Sequence, residues 1–386
     1  MTIISDLPEH LVEEIVSRVP LKLMRTVRLT CKKWETLYKS QSFSKLQFGK
    51  TTASKEGESM MVAVMDFSLY LMSLVFAVDG EPSIQTKGTL TCDNEQVKIS
   101  QVFHCDGLLS CILKADRTKV MVWNPYWGET RCIEFRYTHL TCEWDWCSYA
   151  LGYEDKNSCR SYKLLRYIDH GNHVPKQQEL FLYEIYDFDS GLWKTLNVTP
   201  NWRIAYYQRG VSLKGDTYWY ASERNSDDDL DSHIICFDFT NETFGPLLRL
   251  PFNVGNDDYV TLSCVSREEK LAVLLGHIHI RPEEFEIWIS TKIEAEKVSW
   301  SKFLTRDTRP YFIADTIFTD EEKKVVISFK QDYCRKTFSI IEEAEYCKEL
   351  YVRELADLRC RPNACSYVPS LVQIKQPAGG GKKETQ

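Results

Sequence analysis

No G-x-S-x-G elbow and no phosphate-cradling Gly-rich loop occurs in the 386 residues, so these signatures of hydrolases and nucleotide-binding enzymes are missing. The chain holds 14 cysteines but no C-x-x-C pair, the nearest spacings being Cys142 to Cys147 and Cys360 to Cys365. Metal-ribbon and dithiol redox readings therefore find no pattern to rest on. Basic excess is lacking too. Lys and Arg number 48 against 55 Asp and Glu, a net charge of −7 that opposes broad binding to nucleic acid or anionic membrane. No signal peptide precedes Asp6. The expected compartment is therefore reducing, cytoplasm and/or nucleus, with free and mostly buried thiols. The sequons Asn197-Val198-Thr199 and Asn241-Glu242-Thr243 then carry no meaning. A spanning apolar run is missing as well. Met60 to Val78 approaches the length, but Asp66 near its centre costs about 2.5–3.5 kcal/mol on insertion. Two buried strands with a turn at Asp66-Phe67-Ser68 fit that stretch better.

What is present describes a soluble globular protein, with 43 % hydrophobic and 27 % charged residues. Near the amino terminus Leu7, Leu11, Val12, Ile15, Val16 and Val19 recur at helical spacing. Asp6 with Glu9 is a helix-start signal, Pro8 suits a first turn, and Pro20 stops the helix. Leu23, Met24, Val27 and Cys31 mark a second short helix, and Trp34, Leu37 and Tyr38 a third. Three such helices make a core too small to stand alone, so part of their apolar surface awaits a partner. Cys31 on this apolar face is no nucleophile, because burial opposes the thiolate. Residues 21–50 carry eight Lys or Arg and only Glu35 as an acid, which suits an acidic partner.

The order Leu7-Pro8, Leu11, Ile15, Arg18-Val19-Pro20, Val27-Arg28, Cys31-Lys32 and Trp34 resembles the F-box in the form common in plants. It departs from the usual pattern at Leu23-Met24-Arg25 and at Thr30. The resemblance implies docking on a Skp-type adaptor through Leu7, Pro8, Leu11, Ile15, Val19, Pro20, Leu23, Val27, Cys31 and Trp34. Arg25, Arg28, Lys32 and Lys33 would steer the acidic adaptor.

Residues 49–59 (GKTTASKEGES) read as a linker, and beyond them short β-rich runs alternate with turn residues. A repeat is visible. The apolar runs ending at Asp187, Asp238, Ser290 and Glu342 lie 51, 52 and 52 residues apart, and Val122-Trp123-Asn124-Pro125 belongs to the same class. Trp193, Phe244 and Trp300 follow the first three of those runs. Strand-turn-strand signals recur in step at Val211–Trp219, Leu262–Leu271 and Thr316–Val325. A period near fifty residues predicts a kelch-like β-propeller, whose blades bury their faces against one another. Five repeats between residues 107 and 352 plus the strands of 60–78 predict six blades. Val122–Pro125, Tyr162-Lys163-Leu164, Glu184-Ile185-Tyr186, Gly210–Gly215, Cys236–Thr240, Val298–Phe303 and Ser366–Val372 resemble the plant F-box-associated domain.

The expected architecture is α+β and multidomain: a three-helix F-box over 1–48, a linker over 49–59, an all-β kelch-like propeller over 60–375 and a flexible tail over 376–386. No cofactor and no metal is expected. His277 and His279 share a strand face without a third ligand at recognisable spacing. Asp227–Asp231 reads as a solvated loop, with contact to a basic client as its functional alternative. Trp144, Trp146, Trp202, Tyr206 and Tyr207 lie in or beside loops where they could anchor a partner, although aromatics in such a chain are mostly core.

The resemblances imply a non-catalytic client-recognition subunit of an SCF-type cullin ubiquitin ligase, holding an unknown client protein with its β-domain. A non-proteolytic F-box scaffold, a glycan-binding propeller and an enzyme with its site in the channel are the rival readings. Combined Leu7→Ala, Pro8→Ala and Trp34→Ala substitution should abolish capture of a Skp-type adaptor in a pull-down. Hot-spot truncations cost about 2–4 kcal/mol each, against roughly 8 kcal/mol for a micromolar complex. Undiminished capture would contradict the F-box reading.

Overall fold

The fold was analysed in a computed structural model. It describes Pro8, Leu11, Val12, Glu14 and Ile15, and residues 58–374 except 76–82, 91–96, 126–128, 137–146, 157–158, 171–179, 206–207, 225–231, 256, 266–269, 278–282, 309–315, 322–323, 332–334, 343–347, 355–362 and 371. At the amino terminus the amides of Leu11 and Val12 donate to the Pro8 carbonyl at 3.0 and 3.1 Å, and Leu11, Val12, Glu14 and Ile15 are helical. Proline at the head of this turn loses no bond, since its nitrogen would have had no partner. The rest of the expected three-helix unit lies outside the described residues.

From Glu58 onward the described chain is strand and turn, because β-branched and aromatic residues alternate with residues that tolerate tight turns. Blade one takes β1 (Glu58–Met65), β2 (Ser68–Val75) and β3 (Ser83–Leu90). Blade two is β4 (Ile99–Cys105), β5 (Leu108–Leu113), β6 (Lys119–Asn124) and β7 (Glu129–Glu134). Blade three is β8 (Cys147–Lys156), β9 (Cys159–His170), β10 (Leu180–Asp187) and β11 (Leu192–Thr195). Blade four comprises β12 (Trp202–Arg203), β13 (Val211–Leu213), β14 (Asp216–Glu223), β15 (His233–Asp238), β16 (Thr243–Phe244) and β17 (Leu248–Arg249). Blade five is β18 (Asp258–Cys264), β19 (Leu271–His277), β20 (Glu283–Ile293) and β21 (Val298–Thr308). Blade six is β22 (Thr316–Asp320), β23 (Val325–Gln331), β24 (Arg335–Glu342) and β25 (Lys348–Glu354). A last strand, β26 (Asn363–Ser366), returns to blade one and pairs with β1 from Met61↔Ser366 to Val64↔Asn363. Six antiparallel sheets result, joined end to end as a propeller.

The repeat read from sequence has a structural cause. The runs ending at Asn124, Asp187, Asp238, Ser290 and Glu342 fall in β6, β10, β15, β20 and β24, the third strand of five successive blades. Trp193 and Trp300 stand on the outermost strands of blades three and five, and each donates its indole N–H backwards. Trp193 Nε1 reaches the carbonyl of Glu134 at 2.9 Å, and Trp300 Nε1 that of Arg249 at 3.4 Å. The outer edge of each of these blades is thus tied to the blade before it. Three hairpins turn through two residues with positive φ: Asp66-Phe67 (50° and 60°), Asp106-Gly107 (51° and 78°) and Lys214-Gly215 (55° and 95°). Such turns match the right-handed twist of the strands they join.

Six apolar clusters occupy the six seams between neighbouring blades. The seam of blades three and four is the most aromatic, with Tyr167, Tyr183, Trp219, Phe237 and Phe239 all buried. Burial of each such side chain is worth roughly 1.5–3 kcal/mol, which is why the repeats need one another. The sequence reading assembled the sixth blade from 60–78 alone. The structure adds β3 and completes that sheet with β26 from the far end of the chain, a pairing between residues some 300 positions apart that no local pattern announces.

The seam of blades two and three buries an ion pair. Arg166 and Glu184 face each other across β9 and β10, 3.4 Å apart, with both side chains fully buried. The guanidinium carbon lies 4.3 Å from the centroid of the Phe135 ring in blade two. Arg166→Met alone should destabilise the ring by about 3–5 kcal/mol, since it strands the Glu184 carboxylate in the seam. Adding Glu184→Leu should restore most of that loss in a denaturant melt; equal stabilities for the single and double variants would contradict this account.

Candidate functional site: the two ends of the ring

The chain enters the ring at the start of β1, and β26 ends beside it, because the two strands are antiparallel. At that end the first strands of the other blades also turn back. Most of the expected adaptor face lies outside the described residues: Leu7, Val19, Pro20, Leu23, Val27, Cys31 and Trp34, with the basic Arg25, Arg28, Lys32 and Lys33. Pro8, Leu11 and Ile15 are exposed, Leu11 at 38 % and Ile15 at 43 %, whereas Val12 is buried at 3 %. Leu11 and Ile15 stand four residues apart on one helical face, so two apolar side chains are open to solvent on one stripe.

The tether end of the ring is heavily bonded. The hairpin of β8 and β9 stays paired to Lys156↔Cys159, while β9 and β10 part at Lys163↔Asp187, so the hairpin projects beyond its own sheet. It leans on both neighbours. Tyr153 N donates to Gly215 O at 3.0 Å in blade four. Arg160 Nη1 lies 2.6 Å from Asp106 Oδ2 in blade two, and the Tyr162 hydroxyl donates to the same carboxylate. The Arg160 guanidinium covers the Tyr153 ring at 4.2 Å. Across the axis β4 and β13 come into contact, and Cys264 Sγ donates to Ser212 O at 3.1 Å. The channel is pinched where blades two, four and five meet. Cys105, buried there, has its thiol pushed up to about 12 by burial, as expected of a packed thiol.

An ion network joins blades three and four at the same end. Lys163 is buried, yet its ammonium meets Glu154 at 3.0 Å, Glu242 at 2.9 Å and the Phe239 carbonyl at 2.9 Å. Burial alone would lower this lysine's pKa, but the two carboxylates outweigh it and hold the group charged. Tyr162-Lys163-Leu164 resembles a family run in sequence, and in the structure its lysine staples two blades.

At the opposite end, second strands hand over to third strands and outer strands to the next blade. Here the connection of residues 196–205 is built into the ring. Trp202 and Ile204 are buried, β12 adds to β14 at Trp202↔Glu223, and Arg224 Nη2 meets Asp169 Oδ1 at 2.6 Å. Trp202 is therefore core, 4.5 Å from Phe244 between ring centroids, because its loop doubles back on the aromatic seam. Trp144, Trp146, Tyr206, Tyr207 and Asp227–Asp231 lie outside the described residues, but the strand ends flanking them belong to this end. His277 Nδ1 is 2.5 Å from Asp258 Oδ1, so it is partly packed and partnered; His279 is not described. Among the described residues no cluster of three or more His, Cys, Asp or Glu side chains is placed to hold a metal.

Six antiparallel sheets in a ring, five of four strands and one of six, define a β-propeller protein. Comparison with known proteins agrees. Residues 60–374 match the F-box associated beta propeller domain, and residues 4–46 match the F-box domain. An F-box protein of Arabidopsis thaliana is 54 % identical, covering 99 % of this chain and 93 % of that protein. An F-box/kelch-repeat protein of the same plant is 52 % identical, covering 98 % of this chain and 92 % of the relative. A third relative, named Peroxiredoxin-2A, is 48 % identical, and the match spans 99 % of this chain and 70 % of that protein. The chain belongs to the F-box proteins that carry an F-box associated beta-propeller domain.

His104 supplies a pH test of the tether end. Burial holds its imidazole down at about 4 from an ordinary 6.5, against the opposing pull of Asp106 and the Val368 backbone. Its Nε2 accepts the Gly107 N–H at 3.0 Å, which requires the neutral ring. The unfolded chain takes the proton near 6.5 and the folded one only near 4, so this contribution is complete above pH 6.5 and is lost as pH falls from about 6.5 to about 4. His104→Gln should shrink the loss of melting temperature between pH 7 and pH 4.5. An unchanged loss would exclude His104 as its source.

Proposed function

We propose that this protein is the client-recognition subunit of an SCF-type cullin ubiquitin ligase, working in the cytoplasm and/or nucleus. The F-box docks on a Skp-type adaptor and through it on a cullin, and the propeller holds a client protein. The chain makes and breaks no bonds itself. The observation that carries this reading is the match, in one chain, of residues 4–46 to the F-box domain and of residues 60–374 to the F-box associated beta propeller domain. Tethering replaces a dilute encounter between client and charged enzyme by a high effective concentration, which is what a ligase of this kind requires.

The two family matches, over residues 4–46 and 60–374, do not overlap, which supports the same reading. Among the described residues each blade buries its faces against its neighbours, and the six apolar clusters are made of residues of the ring. The pinched, bonded tether end favours the opposite end for the client.

A chain lacking residues 1–48, expressed in excess in plant cells, should bind clients without promoting their ubiquitination and so lengthen their half-lives. Clients would be identified by proximity labelling with degradation blocked. Shortened half-lives, or ubiquitination that persists without the F-box, would overturn the proposal. Failure of a cullin to co-purify with the full chain would favour a scaffold instead.

A further inference from the structure

After β26 the chain crosses the tether end as a bound peptide would. Tyr367 is buried between blades one and two, donating its N–H to Met60 O at 3.0 Å and meeting the His104 ring edge-on at 5.5 Å. Ser370 Oγ donates to Asp106 O at 2.6 Å. The Asn124 side-chain amide then donates twice to the segment's backbone, to Ser370 O at 3.1 Å and Val372 O at 2.7 Å. Ile374 ends buried among Leu108, Ile133 and Phe135 near the seam of blades two and three, with Val372 packed beside it.

The receiving surface is shaped for this segment. A methyl at Gly107 would stand 2.2 Å from Ser370 Oγ, so only glycine there leaves room. Gly107 also holds φ at +78°, which glycine adopts without strain. Asn124 closes β6, where it pairs with Glu129 of β7, and its side-chain amide reads main-chain carbonyls of the segment. Ser370, Val372 and Ile374 occupy alternate positions, the period by which an extended strand presents one face.

We propose that residues 367–370 and 372–374 are a clasp, an intramolecular ligand seated in a groove made by Asp106, Gly107, Asn124 and the apolar residues of the second and third blades. The groove belongs to blades two and three, while the chain that fills it leads directly from the strand completing blade one. Occupancy therefore mounts the three amino-terminal strands of the ring firmly against the rest of it. The β26–β1 ladder alone joins only four residue pairs. Any extended segment offering a small hydroxyl residue followed at alternate positions by branched apolar residues would compete for the groove and loosen that mount. The groove is distinct from the adaptor face and from the end assigned to the client.

Hydrogen exchange on the chain ending at Ser366 tests this. Amide protection in β1–β3 should fall by about tenfold or more relative to the full chain, while β18–β21 keep theirs. A synthetic peptide spanning Ser366 to Gln376, added in excess, should restore the protection, and the same peptide with Ile374→Asp should not. Should the shortened chain fail to fold, Asn124→Ala and Ile374→Asp in the full chain carry the same expectation, loss confined to the amino-terminal strands. Protection of β1–β3 unchanged in all these variants overturns the clasp, and so does a peptide that fails to rescue a folded shortened chain.

Discussion

A sheet that is apolar on both faces has to be covered on both, and every other property of this molecule follows from that requirement. A blade covers one face of the next, and a linear stack would leave two faces wet. Bending the stack into a ring removes both ends at once. The closure of this ring is reinforced by shared chain: β26 follows blade six and pairs with β1 of blade one. Met61, Met65 and Met72 then fill the last seam with Phe318, Phe329 and Phe338, an unbranched side chain suiting a joint where two distant parts of the chain meet.

Charge serves the same end. Arg131 of blade two donates to Phe188 O of blade three at 2.9 Å, and Lys163 of blade three to Phe239 O of blade four at 2.9 Å. Both carbonyls follow the third strand of their blade, where the chain turns and leaves an acceptor unused by the sheet. A buried cation is costly in itself, but here each one removes an unpaired carbonyl from the seam and finds further partners there. Tyr186 accepts from Arg131 at 2.6 Å, and two carboxylates flank Lys163. Placement thus repeats around part of the ring even though the residue types do not.

Much of the fold was legible because it is local and repeated. The turn at Asp66-Phe67, the hairpins at residues 211–219 and 316–325, and the shared third-strand position of the runs ending at Asp187, Asp238, Ser290 and Glu342 all follow from patterns a few residues long. Closure was not legible, because Asn363-Ala364-Cys365-Ser366 is a short, unremarkable strand whose partner lies at the other end of the chain. Trp202 illustrates the opposite difficulty. Between Pro200 and Ala205 the sequence resembles an exposed loop, and only the return of that loop over Tyr183 and Phe244 makes the indole core. The residues bracing the tether end, Asp106, Arg160 and Tyr162, come from different blades, so no spacing in one stretch could have gathered them. The family resemblance supplied the two-part organisation that periodicity alone does not: a docking segment ahead of a ring.

The position of β1 has a mechanical consequence. It lies between β26 and β2, so the strand that receives the tether is hydrogen-bonded along both edges. A pull on the amino-terminal segment along the strand must slide β1 past two neighbours at once, loading many bonds together. A tether on an outer strand such as β3 would instead peel one edge bond by bond. The molecule places its handle where traction is resisted in shear, and the ring behaves under load as one body.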